Sequence, residues 1–129
     1  MRALYNLNKK DRGFRVMKYY SEEEIKEIRI ALEKEVLGWS QVSTKKMFGC
    51  PCYKVSNKLF VFLVTKGIVF THLDQTDKEH LSREYELDFF NTGKKKIKNW
   101  PQVSIQSVEE LKAIMLYVRR SYKRALNEA

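Results

Sequence analysis

Residues 58–70 read KLFVFLVTKGIVF. The unbroken apolar run Leu59-Phe60-Val61-Phe62-Leu63-Val64 is rich in β-branched and aromatic side chains, the pattern of a strand buried on both faces, in the middle of a sheet. Lys66-Gly67 marks a turn, and Ile68-Val69-Phe70 resumes the strand character. Upstream, Gly49-Cys50-Pro51 and Ser56-Asn57-Lys58 are further turn signals. Together they divide Val42 to His72 into three or four short strands, most simply an antiparallel meander.

Helical patterns flank this block. Ser21-Glu22-Glu23-Glu24 is a capping box, in which the serine accepts from an orphan N–H and Glu24 reaches back. Ile25, Ile28, Leu32 and Val36 then form one apolar stripe before Gly38, which marks the expected stop because glycine ends helices at little conformational cost. Thr76-Asp77-Lys78-Glu79 is a second capping box and predicts a short helix to about Tyr85. Residues 86–106 give a further hairpin around a basic turn from Asn91 to Lys96. Ser107-Val108-Glu109-Glu110 opens a last helix whose Leu111, Ile114, Met115, Val118, Tyr122 and Ala125 share an apolar arc, with Leu116 and Tyr117 outside it. The expected class is α+β: an antiparallel sheet of about five or six strands flanked by N-terminal and C-terminal helices. Residues 1–20 read as a basic arm or extra strand, and residues 21–129 as one domain.

The chain has 129 residues and a formal charge of +9, distributed unevenly. Residues 1–20 carry six bases against Asp11, while residues 38–73 and 91–106 contain lysines and no acid. Twelve of the sixteen acids lie in 21–37 and 74–90. No apolar run approaches the roughly 20 residues of a membrane span, and the N-terminus lacks the apolar core of a secretory signal, so a cytoplasmic protein without membrane contact is expected.

Cys50-Pro51-Cys52 is the most conspicuous chemistry in the chain. A zinc site needs about four ligands, and Cys50, Cys52, His72 and His80 would have to converge from separate elements. A redox pair is the other chemical reading; two small apolar residues in a tight turn, with free thiols, is the simpler one. His72 and His80 belong to no nucleophile or metalloprotease motif, and the glycines are too dispersed for a phosphate loop. The sequence therefore calls for no cofactor, metal or catalytic residue. Phe60, Phe62, Phe70, Phe89, Phe90 and Trp100 read as core.

Lys46-Met47-Phe48-Gly49, Tyr53, Lys58-Leu59-Phe60, the W-x-x-V of Trp100 and Val103, and the closing helix with Leu111, Val118, Tyr122 and Ala125 resemble the N-terminal domain of the TfoX/Sxy competence regulators. The likeness spans about residues 43–127. It implies an α+β domain similar to YjbR-like proteins and to type III secretion chaperones, and no catalytic residues. Basic charge suggests a partner: Lys94, Lys95, Lys96 and Lys98 on the hairpin, with Arg119, Arg120, Lys123 and Arg124 on the last helix, suit a nucleic-acid backbone. The alternative is an adaptor that binds a protein partner or forms a homodimer.

Overall fold

The computed structural model describes residues 19–128. The arm or extra strand expected over 1–20 falls outside the described residues apart from Tyr19 and Tyr20. The elements run α1 (Glu22–Val36), β1 (Val42–Met47), β2 (Cys50–Val55), β3 (Lys58–Val64), β4 (Gly67–Phe70), α2 (Gln75–Glu84), β5 (Leu87–Asn91), β6 (Lys96–Ser104) and α3 (Val108–Glu128). All six strands join one antiparallel sheet in the order β1-β2-β3-β4-β6-β5. The α+β architecture is as the sequence implies, and β3 lies inside the sheet with Phe60, Val61, Phe62 and Leu63 fully buried.

Two tight turns set the register of the meander. Met47 faces Cys50 and Val55 faces Lys58, leaving two-residue loops in which Phe48 and Gly49 have φ of 56° and 77°, and Ser56 and Asn57 of 48° and 72°. Positive φ at both loop positions is what a type I′ turn requires, and its twist matches that of the flanking strands. The turn expected at Gly49-Cys50-Pro51 is thus corrected by one step: Phe48-Gly49 makes it, and Cys50-Pro51-Cys52 already belongs to β2. Pro51 fits there because the β2–β3 ladder begins only at Cys52.

The sheet buries both faces. The three helices cover one, where Ile25, Ile28, Leu32 and Val36 of α1, Leu81 of α2, and Leu111, Ile114, Val118 and Ala125 of α3 meet Tyr53, Leu63, Ile68 and Val103. The opposite face gathers Cys50, Cys52, Phe62, Val64, Val69 and Phe90, with Tyr19 and Trp100 packed against them. Of the aromatic residues expected in one core, Phe60 and Phe70 lie on the helix side and Phe62, Phe90 and Trp100 on the other, whereas Phe89 is only partly buried and joins neither, because alternation along β5 turns it away from the face of Phe90. Tyr19 is tied to the sheet by its carbonyl, which accepts from the Thr65 N–H at 2.8 Å.

In β3 the pairing jumps from Tyr53–Val61 to Lys54–Leu59, so Phe60 is an extra, bulged residue. Phe60 and Val61 consequently both join the helix-side core. The bulge carbonyls find partners: Thr71 Oγ1 donates to the Leu59 carbonyl at 2.7 Å, and Ser121 Oγ on α3 donates to the Phe60 carbonyl at 2.7 Å. Ser121 Oγ also accepts from the His72 N–H at 3.0 Å.

The helix ends depart from the expected boxes. Ser21 is the N-cap of α1, but its side chain makes no capping bond; Tyr20 and Arg29 instead hold the Glu22 carboxylate beside it. For α2 the cap is Asp74, two residues before Thr76, with its carboxylate accepting from the Asp77 N–H at 2.8 Å. The third box forms in its serine half, Ser107 Oγ accepting from the Glu110 N–H at 3.1 Å, while the Glu110 carboxylate reaches one residue further back and accepts from the Gln106 N–H. Tyr117, expected off the apolar arc, is buried toward α2 and donates to Glu84 at 3.1 Å. Leu116 is 60% exposed, as its position implies.

Ser121→Ala leaves the His72 N–H without its acceptor and the Phe60 carbonyl with the Thr71 N–H alone, at 3.2 Å, where Ser121 is fully buried. It is expected to lower stability in urea denaturation by about 1–3 kcal/mol, the usual cost of leaving buried polar groups unpaired. A change within error of zero would mean that the hydroxyl is not what fastens α3 to the bulge.

Candidate functional site

The β5–β6 hairpin carries its lysines on a well-braced tip. Thr92 N–H donates to the Lys95 carbonyl at 3.1 Å, Asn91 Oδ1 accepts from the Gly93 N–H at 2.8 Å, and Gly93 takes a φ of 93° that favours glycine. Below the tip, Phe90 on β5 faces the whole stretch Ile97 to Trp100 on β6, because the register resumes only at Phe89–Pro101. Ile97 and Trp100 turn onto the second core, where the Trp100 ring lies 5.6 Å from Phe62 and 6.1 Å from Phe90 between centroids. Lys98, between these two anchors in sequence, is exposed, as are Lys94 and Lys95. Lys96 differs from them: its ammonium lies 3.0 Å from Asp88, whose carboxyl is held below the usual range chiefly by the Phe89 N–H and then by Lys96.

The four bases expected on α3 separate by role. Arg120 Nε lies 2.6 Å from Asp77, whose side chain is only 8% exposed, and Arg124 lies 3.7 Å from Asp74 and 3.3 Å from Glu128. These two arginines fasten α3 to the start of α2. Arg119 stacks over Trp39, 4.7 Å from its ring centroid, and over Tyr122. Lys123 projects into solvent. No bond or ion pair joins the hairpin lysines to the α3 bases among the described residues.

Cys50 and Cys52 are fully buried and unbonded to each other. Burial pushes the Cys50 thiol up to about 12, with Cys52 adding to the shift, and Cys52 up to about 11, partly offset by the Met47 backbone and Lys45. Such thiols are poor nucleophiles at neutral pH. His72 sits between β4 and α2, with Nδ1 3.0 Å from the Leu59 carbonyl and Nε2 2.9 Å from Glu128. His80 is exposed on α2. Among the described residues, no group of three or more His, Cys, Asp or Glu is placed to hold a metal ion. None of their helices is long and apolar enough to cross a membrane.

A concavity that the sequence did not single out lies between α1 and the β1–β2 hairpin. It encloses about 560 Å³ and is lined by Tyr20, Glu22, Arg29 and Glu33 on one side and by Thr44, Lys45, Lys46, Gly49 and Pro51 on the other. Arg29 grips Glu22 through Nε at 2.9 Å and Nη2 at 2.7 Å, and Glu33 through Nη1 at 2.9 Å. Tyr20 donates to Glu22 and Tyr53 to Glu33, the latter at 2.7 Å. Arg29 and then Tyr20 hold the Glu22 carboxyl down at about 2. Burial, followed by Glu33, drives the Tyr53 phenol well above its ordinary value. The i, i+4 spacing of Arg29 and Glu33 was visible in sequence; the approach of Tyr53 from a strand was not.

No family model, curated protein or solved structure matches the chain.

Two outcomes follow from this geometry. Arg120→Gln leaves the Asp77 carboxylate buried without its cation; because Arg120 itself is half-exposed, the expected loss is about 1–2 kcal/mol in thermal or urea unfolding, while Lys123→Gln is expected to be silent. The cysteine thiols are protonated more tightly in the folded state than in the unfolded chain, where they titrate near 8.5. Their contribution to stability is thus intact below about pH 8.5 and lost as pH rises through about 11 and 12. Accordingly, Cys50→Ala/Cys52→Ala should show a shallower alkaline loss of stability than the parent protein, and iodoacetamide at pH 8 should label the folded parent roughly 100-fold more slowly than the urea-unfolded chain.

Proposed function

We propose that the protein is a non-enzymatic, nucleic-acid-associated regulatory module that sets its β5–β6 hairpin against a phosphate backbone. The observation that carries this reading is the hairpin itself: Lys94, Lys95 and Lys98 are exposed, with no ion pair among the described residues, on a tip braced by its own hydrogen bonds and anchored by Ile97 and Trp100. A preorganised cationic tip loses little conformational freedom on meeting phosphates, and displaced counterions supply the affinity. Lys112, Arg119 and Lys123 on the solvent side of α3 add positive charge, whereas Arg120 and Arg124 are already engaged with α2. The TfoX/Sxy-like spacing of Lys46-Met47-Phe48-Gly49, Tyr53 and Trp100 agrees with a regulatory rather than a catalytic role.

Binding of labelled double-stranded DNA, followed by anisotropy across a salt series, tests the reading. Each phosphate contact contributes about 0.9 to the slope of log K against log salt, so Lys94→Gln/Lys95→Gln/Lys98→Gln is expected to flatten it by up to ~2.7. Lys96→Gln alone should change it little. No binding by the parent, or an unchanged slope in the triple variant, removes the hairpin as a nucleic-acid surface.

A further inference from the structure

The sheet has two edges, and they are finished differently. At the β5 edge, the Phe89 N–H is taken by the Asp88 carboxylate at 2.8 Å, and the irregular register around Phe90 bends the ladder. Both features blunt an edge against further pairing. β1 has regular pairing along its whole length with β2, from Val42–Val55 to Met47–Cys50. Because a two-residue loop closes on a hydrogen-bonded pair, Met47, Lys45 and Ser43 spend their backbone groups on β2, and those of Lys46, Thr44 and Val42 point outward. The Val42 N–H is used by the Trp39 carbonyl at 3.4 Å. Thr44 and Lys46 keep an outward N–H and C=O each, with no partner among the described residues.

The side chains of those same two residues face the concavity. Thr44 stands opposite Tyr53, which belongs to the helix-side core and bonds to Glu33 of α1, and Lys46 stands opposite Pro51 on the same face. A strand laid along β1 would therefore pair with Thr44 and Lys46 through its backbone. At the same time it would send alternate side chains into a groove walled by Tyr20, Glu22, Arg29 and Glu33. This is the geometry of strand addition beside a helix, in which main-chain bonds give affinity and the groove gives selectivity.

Charge specifies the occupant. The β1–β2 hairpin carries Lys45, Lys46 and Lys54 and no acid, with Lys45 on the face away from the helices and Lys46 on the groove side. Arg29 is engaged by Glu22 and Glu33, a cluster of net charge −1, so the cations at the groove with no ion pair among the described residues are Lys46 and Lys45, both on β1. Self-pairing of two β1 edges would bring the Lys45-Lys46 pairs of both copies within a residue or two of each other, and like charges facing across strands repel. We infer that the β1 edge and the groove beside α1 capture an extended acidic peptide as a further strand, its carboxylates meeting Lys45 and Lys46.

The test is amide chemical-shift mapping by NMR with an N-acetylated octapeptide of alternating glutamate pairs and valine pairs, which sets carboxylates on both faces of the added strand. Saturable shifts below roughly 1 mM peptide, centred on Thr44, Lys46 and the Tyr20–Arg29 wall, are the expected result. Thr44→Pro deletes an outward N–H without touching the β1–β2 ladder, since proline is tolerated on the solvent side of an edge strand. It should weaken the peptide about tenfold while leaving the unfolding midpoint close to that of the parent. Should Thr44→Pro prove unstable, Lys45→Glu/Lys46→Glu serves in its place: it should abolish binding of the acidic octapeptide and confer binding of its lysine–valine counterpart. Shifts confined to the Lys94–Lys98 hairpin, binding indifferent to all these substitutions, or concentration-dependent shifts of Thr44 and Lys46 without peptide would overturn the inference, the last in favour of a second copy of this chain.

Discussion

One extra residue in β3 governs how the helices sit on the sheet. Without the bulge at Phe60, strict alternation would send Phe60 to the same face as Phe62, and the helix side would lose its largest contact with the C-terminal helix. With it, Phe60 meets Trp39 at 6.4 Å and Tyr122 at 5.5 Å between ring centroids, closing the corner between the end of α1 and α3. A bulge also leaves carbonyls out of the ladder, and Ser121, Thr71 and His72 converge on them. A polar residue in the middle of an otherwise apolar helix face is thus a fixing point rather than a defect, and Tyr122 extends the attachment by donating to the Ser40 carbonyl at 2.9 Å.

With α3 fixed on β3, the acids and bases of the surface acquire definite partners. Arg120 and Arg124 lie on the flank of α3 that meets α2, where Asp77 and Asp74 belong to the first turn of that helix and its cap. Arg119 lies on the opposite flank and covers Trp39. The same helix therefore uses three of its bases for packing and leaves Lys112 and Lys123 to solvent. Among the described residues, exposed lysines without an ion pair stand on two hairpins, β5–β6 and β1–β2, as well as on α3.

Those hairpins stand at opposite edges of one sheet. The β5–β6 tip projects lysines from a backbone that is internally satisfied, so it suits a partner that offers charge and no backbone, such as a phosphate chain. The β1 edge offers unspent backbone groups as well as lysines, so it suits a partner that can supply both carboxylates and a strand. A regulatory module that joins a nucleic acid to an acidic protein segment would need these two kinds of surface.

Local patterns in the chain were sufficient for the element order, the amphipathic faces of α1 and α3, the interior position of β3, and the α+β class, because each depends on neighbours within a few residues. The run Leu59 to Val64 and the stripe Ile25, Ile28, Leu32 and Val36 carry that information outright. The hairpin lysines were legible for the same reason. What the tertiary structure alone decided is everything that depends on distant partners: the bulge at Phe60, since an unbroken apolar run does not say which residue is extra; the cap at Asp74, two residues before the box read at Thr76; and the place of Cys50-Pro51-Cys52 in a strand, because Phe48 and Gly49 make the turn that the sequence assigned to Gly49-Cys50-Pro51. The pairing of Arg120 with Asp77 and the groove between α1 and β1 belong with these. They bring together residues remote in sequence, and only the docking of helices onto the twisted sheet determines which of them meet.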